Sequence, residues 1–218
     1  MPNGSDPPPY LLALRLEGEP ALVVGGGRVA ARKVAGLVTS GAVVTVVAPR
    51  TLTEVDTLAA RVLRRRYRKG DVAGYRIVVT ASGDPAVDGQ VYADAEAAGI
   101  LVNAADNRDA CRFYVPAVLR RGPVSVAVST GGTSPLLASW LKERIAEAFG
   151  NEIGALAEVL GEARQALLSA GLHTEGLPWS ELLDSNLVAA LTAGRFDEAR
   201  DRAASFVARQ LQLAAQPA

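Results

Sequence analysis

The stretch Ala21-Leu22-Val23-Val24-Gly25-Gly26-Gly27-Arg28-Val29-Ala30-Ala31-Arg32-Lys33 decides the fold of this 218-residue chain. A short β-prone run ends at three glycines. From Val29 the apolar period lengthens, and Val29, Ala30, Val34, Leu37 and Val38 share one helical face. Ser40-Gly41 closes that helix, as a helix-ending glycine does. A G-x-G-x-x-A pattern between a strand and a helix predicts a dinucleotide site. Gly25 permits the tight turn, Gly27 lets backbone approach a pyrophosphate, and Ala30 lets the helix lie close to the sheet. The helix N-terminus offers amide donors and a positive dipole end to phosphates. The plainer alternative is a glycine-rich turn without a ligand.

Working outward, Ala42 to Ala48 is apolar throughout, as expected of a parallel strand covered on both faces. Tyr75 to Ala81 reads as a further strand. Asp84-Pro85 opens a helix toward Ala98, which Gly99 ends, and Ile100 to Ala105 is another strand. This β-α-β order predicts an open, doubly wound parallel sheet with right-handed crossovers. After Asp106 the pattern changes. Phe113 to Leu119 and Val124 to Ser129 read as two strands joined by the turn Arg120-Arg121-Gly122-Pro123, with Pro116 implying an edge or a bulge. Ser134-Pro135 starts a helix to Phe149. From Asn151 the chain reads as alanine-rich helices, with Leu156, Val159, Leu160, Ala163, Leu167 and Leu168 on one stripe. Further helices are expected at about 180–193 and 196–213.

Composition removes several classes of function. Lysine plus arginine and aspartate plus glutamate both total 23, and a neutral chain lacks the basic surplus of a nucleic-acid binder. One histidine, His173, and one cysteine, Cys111, exclude a thiolate cage or a multi-histidine metal site within one chain. No run approaches the ~18 apolar residues needed to span a bilayer. The start Met1 to Asp6 lacks the pattern of a secretory signal, so a cytoplasmic location is expected.

Other residues point to chemistry by position. The second strand ends Val47-Ala48-Pro49-Arg50, without the acid that usually holds the ribose hydroxyls. Arg50 suits a 2′-phosphate, or Pro49 and Arg50 simply line the adenosine pocket. Asn103-Ala104-Ala105-Asp106-Asn107 follows the last parallel strand, where the ligand crevice opens. Asp106 there reads either as an acid or base beside a cofactor or as a turn residue, and Asn103 as a holder of nicotinamide or substrate. Gly131-Gly132-Thr133-Ser134-Pro135 is either a second anion site or a hinge with an N-cap. The basic run Arg61 to Lys69 reads as a solvated strand face or as a steering patch for an anionic substrate. Cys111 reads as a small packing residue, and His173 as a surface residue in a loop.

The run GGGRVAARK (25–33), the segment Asn103 to Asp106, Phe113-Tyr114-Val115-Pro116 and VAVSTGGTSP (126–135) stand in the order seen in precorrin-2 dehydrogenases. The chain resembles that family, including its bifunctional dehydrogenase/sirohydrochlorin ferrochelatases of sirohaem synthesis, from about Tyr10 to Gly150, and more loosely beyond. The resemblance implies a homodimer with NAD as hydride acceptor and oxidation of precorrin-2 to sirohydrochlorin. It leaves ferrous iron insertion open, since some relatives only dehydrogenate. It implies cofactor contacts at Arg28, Val29, Pro49 and Arg50, beside those that the glycine motif gives Gly25 and Gly27 and its position gives Asn103. It implies catalysis by Asp106, and substrate contacts at Ser129, Thr130, Gly131 and Gly132. No resident metal, nucleic acid or membrane is implied. The methyltransferase that makes precorrin-2 is expected on a separate protein.

The expected architecture is α/β. A lead-in (1–9) precedes a Rossmann-like NAD-binding domain (10–112), a small α+β dimerisation segment (113–150) and a C-terminal helical domain (151–218). The competing reading is a non-catalytic Rossmann module that senses NAD; the Asp106 and VAVSTGGTSP segments argue against it.

Overall fold

The computed structural model describes residues 7–105 and 107–216, apart from the side chains of Asp184 and Ser185. Residues 1–6 of the expected lead-in, the expected catalytic Asp106 and residues 217–218 lie outside the described residues. The chain divides into two compact units, 1–115 and 116–218.

The first unit is a five-stranded, all-parallel sheet. Its elements are β1 (Pro20–Val24), α1 (Arg28–Thr39), β2 (Val43–Val47), α2 (Thr53–Leu58), β3 (Arg61–Leu63), β4 (Ile77–Thr80), α3 (Pro85–Ala97) and β5 (Leu101–Ala104). The strand order is β3-β2-β1-β4-β5, so the winding reverses between β1 and β4. The continuous apolar runs follow from cover on both faces. Ala21, Val23, Val44 and Val46 pack with Ala30, Val34 and Leu37 of α1 and Val55 of α2. Leu22, Val24, Val78 and Val102 pack with Val91 and Ala95 of α3. Alternate residues of one strand thus feed opposite cores, as a pleated backbone requires.

The segment after β5 folds back along it. Asn103 and Cys111 form an antiparallel bridge, and the Arg112 amide donates to the Val102 carbonyl at 2.8 Å. This corrects the expected strand from Phe113. Phe113 packs into the core of the first unit, and the paired strand β6 begins only at Ala117, after Pro116. Proline has no amide to give a ladder. The basic run is corrected too. Only Arg61–Leu63 is strand; beyond it Arg65 donates two hydrogen bonds to Asp71, at 2.6 and 2.9 Å, and shapes a loop.

The second unit begins with the antiparallel pair β6 (Ala117–Arg121) and β7 (Val124–Val128), followed by α4 (Pro135–Ala148) and α5 (Glu152–Ser169). A two-stranded ribbon needs a partner surface. The start of α5 lies close to its turn, because a Cβ on Gly154 would stand 2.9 Å from the Arg121 carbonyl oxygen. The expected helix at 180–193 is interrupted. It consists of α6 (Trp179–Leu182), a π-helical segment (Leu183–Leu187) and α7 (Val188–Thr192). Asn186 takes φ +62°, a left-handed conformation that asparagine tolerates better than most residues. Then α8 (Phe196–Ala214) completes a core of Val159, Leu167, Leu187, Leu191 and Phe206 with small alanines between. No helix among the described residues is long and apolar enough to cross a membrane.

Candidate active site

The C-terminal ends of β2, β1 and β4 converge on Gly25-Gly26-Gly27. Gly25 has φ +128°, and a Cβ on it would lie 2.6 Å from the Ala81 carbonyl carbon at the end of β4. A Cβ on Gly26 would lie 2.9 Å from Thr51 Cα, beyond the end of β2, and closer still to the Arg50 carbonyl oxygen. The Gly26 carbonyl accepts from the Leu52 amide at 3.0 Å, which fixes the 49–52 turn beside the loop. Gly26 was not singled out by the motif, whose middle position is unrestricted. The turn after β2 is what demands glycine there.

Gly27 differs. A Cβ on it would meet nothing within 4 Å. Its φ of −86° is open to any residue. Packing within the chain does not explain this glycine; an approaching ligand would. Gly27 is also the N-cap of α1, and no side chain caps that end, nor is there an acidic residue in its first turn. The open face, the uncapped amides and the helix dipole fit a pyrophosphate. Arg28 is exposed at the first position of α1. Val29 is partly buried against the core. Pro49 and Arg50 are both exposed beyond β2.

The crossover after β4 is held by a residue the sequence reading passed over. Asp88, in the first turn of α3, accepts from the hydroxyls of Thr80 and Ser82 and from the Ser82 amide. Asp84 caps the same helix through the Ala86 amide at 3.0 Å. The polar run Thr80-Ala81-Ser82-Gly83-Asp84-Pro85 at a strand end was the available signal.

Asn103 is buried in β5, 5% exposed, and its carboxamide is engaged at both ends. Its Oδ1 accepts from Lys33 Nζ at 3.2 Å, and its Nδ2 donates to the Phe113 carbonyl at 2.9 Å and the Cys111 sulfur at 3.3 Å. The Cys111 thiol lies 3.2 Å from the carbonyls of both Ala104 and Asn107. Burial pushes that thiol above its ordinary value, opposed by the Ala104 hydrogen bond and the Lys33 charge. A protonated thiol is a weak donor, and Cys111 serves here as a tie.

Ser129, Thr130, Gly131 and Gly132 lie in the second unit, between β7 and α4. Gly131 and Gly132 have φ +60° and +79°. The Gly131 amide donates to Ser129 Oγ at 3.2 Å. Thr130 Oγ1 accepts from the Ser134 amide at 3.0 Å and donates to the Ser134 carbonyl at 3.1 Å. Ser134 caps α4 through the Leu137 amide. The hydroxyls here build the turn that two successive left-handed glycines require. Among the described residues no cluster of three metal-ligating side chains occurs. A cavity of about 540 Å³ between Glu181 and Arg209 lies in the helical unit.

The first unit is therefore a Rossmann-type dinucleotide-binding domain, defined by its strand order and its glycine turn at the switch point. Residues 12–117 match the NAD(P)-binding family, and residues 121–148 match the central region of sirohaem biosynthesis proteins. A sirohaem synthase of Methylococcus capsulatus is 41% identical over 161 residues, covering 72% of this chain and 34% of that protein. The sirohaem synthase of Chromobacterium violaceum is 37% identical over 200 residues, covering 89% of this chain and 42% of that protein. A solved structure titled SirC, precorrin-2 dehydrogenase, shares 29% identity with a TM-score of 0.69, covering 90% of this chain and 99% of that one. Over most of its length the chain is thus similar to part of the sirohaem synthases and to a precorrin-2 dehydrogenase. It spans about a third to two fifths of the length of the curated sirohaem synthases it matches.

Proposed function

We propose that this chain oxidises precorrin-2 to sirohydrochlorin with NAD as acceptor. The observation that carries the reading is Gly27, a glycine that the packing of the chain does not require, at the uncapped start of α1. The near-complete coverage of a precorrin-2 dehydrogenase supports the choice of substrate. The reaction removes a hydride and a proton from the macrocycle and yields sirohydrochlorin, NADH and H⁺.

NAD supplies the hydride acceptor. Gly25, Gly27, Arg28 and Val29 receive its pyrophosphate, and Pro49 and Arg50 border its adenosine end. Asn103 acts from β5 through the bonds its carboxamide already makes. Asp106 accepts the proton or orients the macrocycle, and Ser129, Thr130, Gly131 and Gly132 contact the substrate. The chief task of these residues is to hold donor and acceptor carbons in reacting geometry. We further propose the division 10–112, 113–150 and 151–218, a homodimer built on the middle segment, and a cytoplasmic setting. Exposed Leu136 and Trp140, one turn apart on α4, support the dimer.

The test mixes the protein with precorrin-2 and NAD and follows sirohydrochlorin and NADH by absorbance. Turnover that falls by roughly 10²–10⁴-fold in Asp106→Ala is expected of a lost acid–base group. No turnover by folded wild-type protein overturns the reading. Ferrous iron added to sirohydrochlorin then measures whether this chain also inserts metal above the spontaneous rate.

A further inference from the structure

Lys33 belongs to the helix that starts at the dinucleotide loop, and Asn103 to the strand that leads into the Ala105–Phe113 segment. The hydrogen bond between them joins residues 70 positions apart. Asn103 sits where the neighbouring strand residues are apolar, as with Val78, Val79 and Val102. A buried carboxamide is destabilising unless all its groups are bonded. Here the oxygen and both amide protons have partners. An aliphatic residue would pack more simply, so what the amide adds is direction. It fixes where the Phe113 carbonyl and the Cys111 sulfur lie relative to α1. Cys111 passes the constraint on to the carbonyls of Ala104 and Asn107. The Ala105 amide is held separately, by the Thr80 carbonyl at 2.9 Å.

We propose that Lys33 and Asn103 are positioning residues for the dehydrogenation, holding the segment after β5 in register with the nucleotide-binding helix. This rests on the activity proposed above, because the segment contains position 106. Neither side chain needs to touch the substrate or the cofactor in this role. Their effect belongs to the chemical step and not to dinucleotide affinity.

The experiment compares wild type with Lys33→Met, Lys33→Arg and Asn103→Asp. It reads kcat and KM for precorrin-2, Kd for NADH, and the labelling rate of Cys111, the single cysteine of the chain, by a disulfide reagent. Lys33→Met removes the donor while keeping an unbranched side chain. Asn103→Asp keeps volume and the acceptor to Lys33 but removes both amide protons. Each is expected to lower kcat by roughly 10–100-fold, the scale of a misplaced reacting group. NADH affinity is expected to stay within about threefold. Cys111 labelling per thiolate, with the thiolate fraction measured in each variant because losing the Lys33 charge or the Asn103 amide raises the thiol, is expected to accelerate roughly tenfold, as the loss of one tie of about 1.4 kcal/mol implies. Lys33→Arg, which restores a donor, is expected to recover part of the lost kcat. A kcat within about twofold of wild type in folded Asn103→Asp overturns the proposal, whatever the labelling does; that bound is about 0.4 kcal/mol, below the net value of one hydrogen bond. Wild-type protein that fails to oxidise precorrin-2 overturns the proposed function instead. Unchanged Cys111 labelling in both Lys33→Met and Asn103→Asp independently overturns the tie.

Discussion

A Cβ on Gly25 would lie 2.6 Å from the carbonyl carbon of Ala81, whereas a Cβ on Gly27 would meet nothing. Two glycines of one motif therefore differ: the fold requires the first, and chain packing leaves the second open. Gly25→Ala is expected to destabilise the protein by about 2–4 kcal/mol, from the clash and from φ +128°. Gly27→Val is expected to cost less than about 1 kcal/mol of stability, the scale of an altered N-cap. It should weaken NADH binding roughly tenfold or more by filling the approach to the α1 amides. Chemical denaturation and fluorescence titration of NADH separate the two. Intact NADH affinity in Gly27→Val would remove the pyrophosphate from this loop.

Asp88 gathers the hydroxyls of Thr80 and Ser82 and the Ser82 amide, and Thr80 is fully buried. Asp88→Ala leaves that hydroxyl without its acceptor. A loss of about 1–3 kcal/mol in urea denaturation is expected. Asp88→Asn keeps one acceptor oxygen and should recover part of it. Equal stability of Asp88→Ala and wild type would show that the turn is held by other means.

The tip of β2 carries Arg50 where many dinucleotide folds place an acid. Arg50→Asp installs that carboxylate. The ratio of NAD to NADP affinity is expected to rise roughly tenfold or more, because a charged hydrogen bond is worth about 1.5–3 kcal/mol. An unchanged ratio would place the ribose away from Arg50.

Arg65 holds the Asp71 carboxyl below its ordinary value of 3.8, chiefly by their hydrogen bond, against the opposing effect of burial. A lowered carboxylate value contributes stability above the unfolded value and loses it as pH falls through the folded one. Arg65→Met should therefore be less stable than wild type at pH 7. The gap should close as the pH falls below about 4, near the unfolded carboxylate value. Thermal melts across pH 3–7, roughly the window set by that value, test this. A gap that stays constant would assign the loss to packing of the arginine stem.

Leu136 is 82% exposed and Trp140 is 54% exposed on α4. Trp140→Glu is expected to abolish the proposed homodimer in sedimentation velocity. A central aromatic anchor is commonly worth at least about 2 kcal/mol in such interfaces. A dimer undisturbed by Trp140→Glu would locate its interface elsewhere.

The strands β1, β2, β4 and β5 are legible because their runs are almost wholly apolar, whereas the short α2 and the exposed edge strand β3 carry too few apolar residues to be read. Those patterns are local, and burial on two sides leaves little choice. Two stretches after β5 are less legible. Phe113 to Pro116 looks like a strand by composition, but Pro116 cannot donate to a ladder and Phe113 is drawn into the sheet's core. The 180–193 stretch has helical spacing, yet Asn186 turns left-handed inside it, which no spacing reveals. For the site, the glycine turn was legible because its chemistry is backbone chemistry tied to a short motif. Gly26 and the Lys33–Asn103 pair are not legible, because their partners are distant in sequence and only the folded sheet brings them near; Asp88 is local to Thr80 and Ser82 but belongs to no motif. Asn103 was read as a ligand group from its position at a strand end. Its carboxamide proves to be spent within the chain, which makes it an organiser of the segment that follows.

The fold-back of Cys111 and Arg112 along β5 bears also on the fate of the chain at high concentration. An outermost strand with an unmet hydrogen-bonding rim is a template onto which a neighbouring molecule can grow a further strand. Here the Val102 carbonyl is taken by Arg112, and Asn103 is bridged by Cys111. At the opposite margin β3 is only the three residues Arg61–Leu63, with Arg61 exposed. Both rims of the sheet are thus closed to strand-by-strand accretion, one by the chain's own return and the other by brevity and charge. Loosening Asn103 would reopen one rim, so a variant made to disturb catalysis should also begin to aggregate through its sheet.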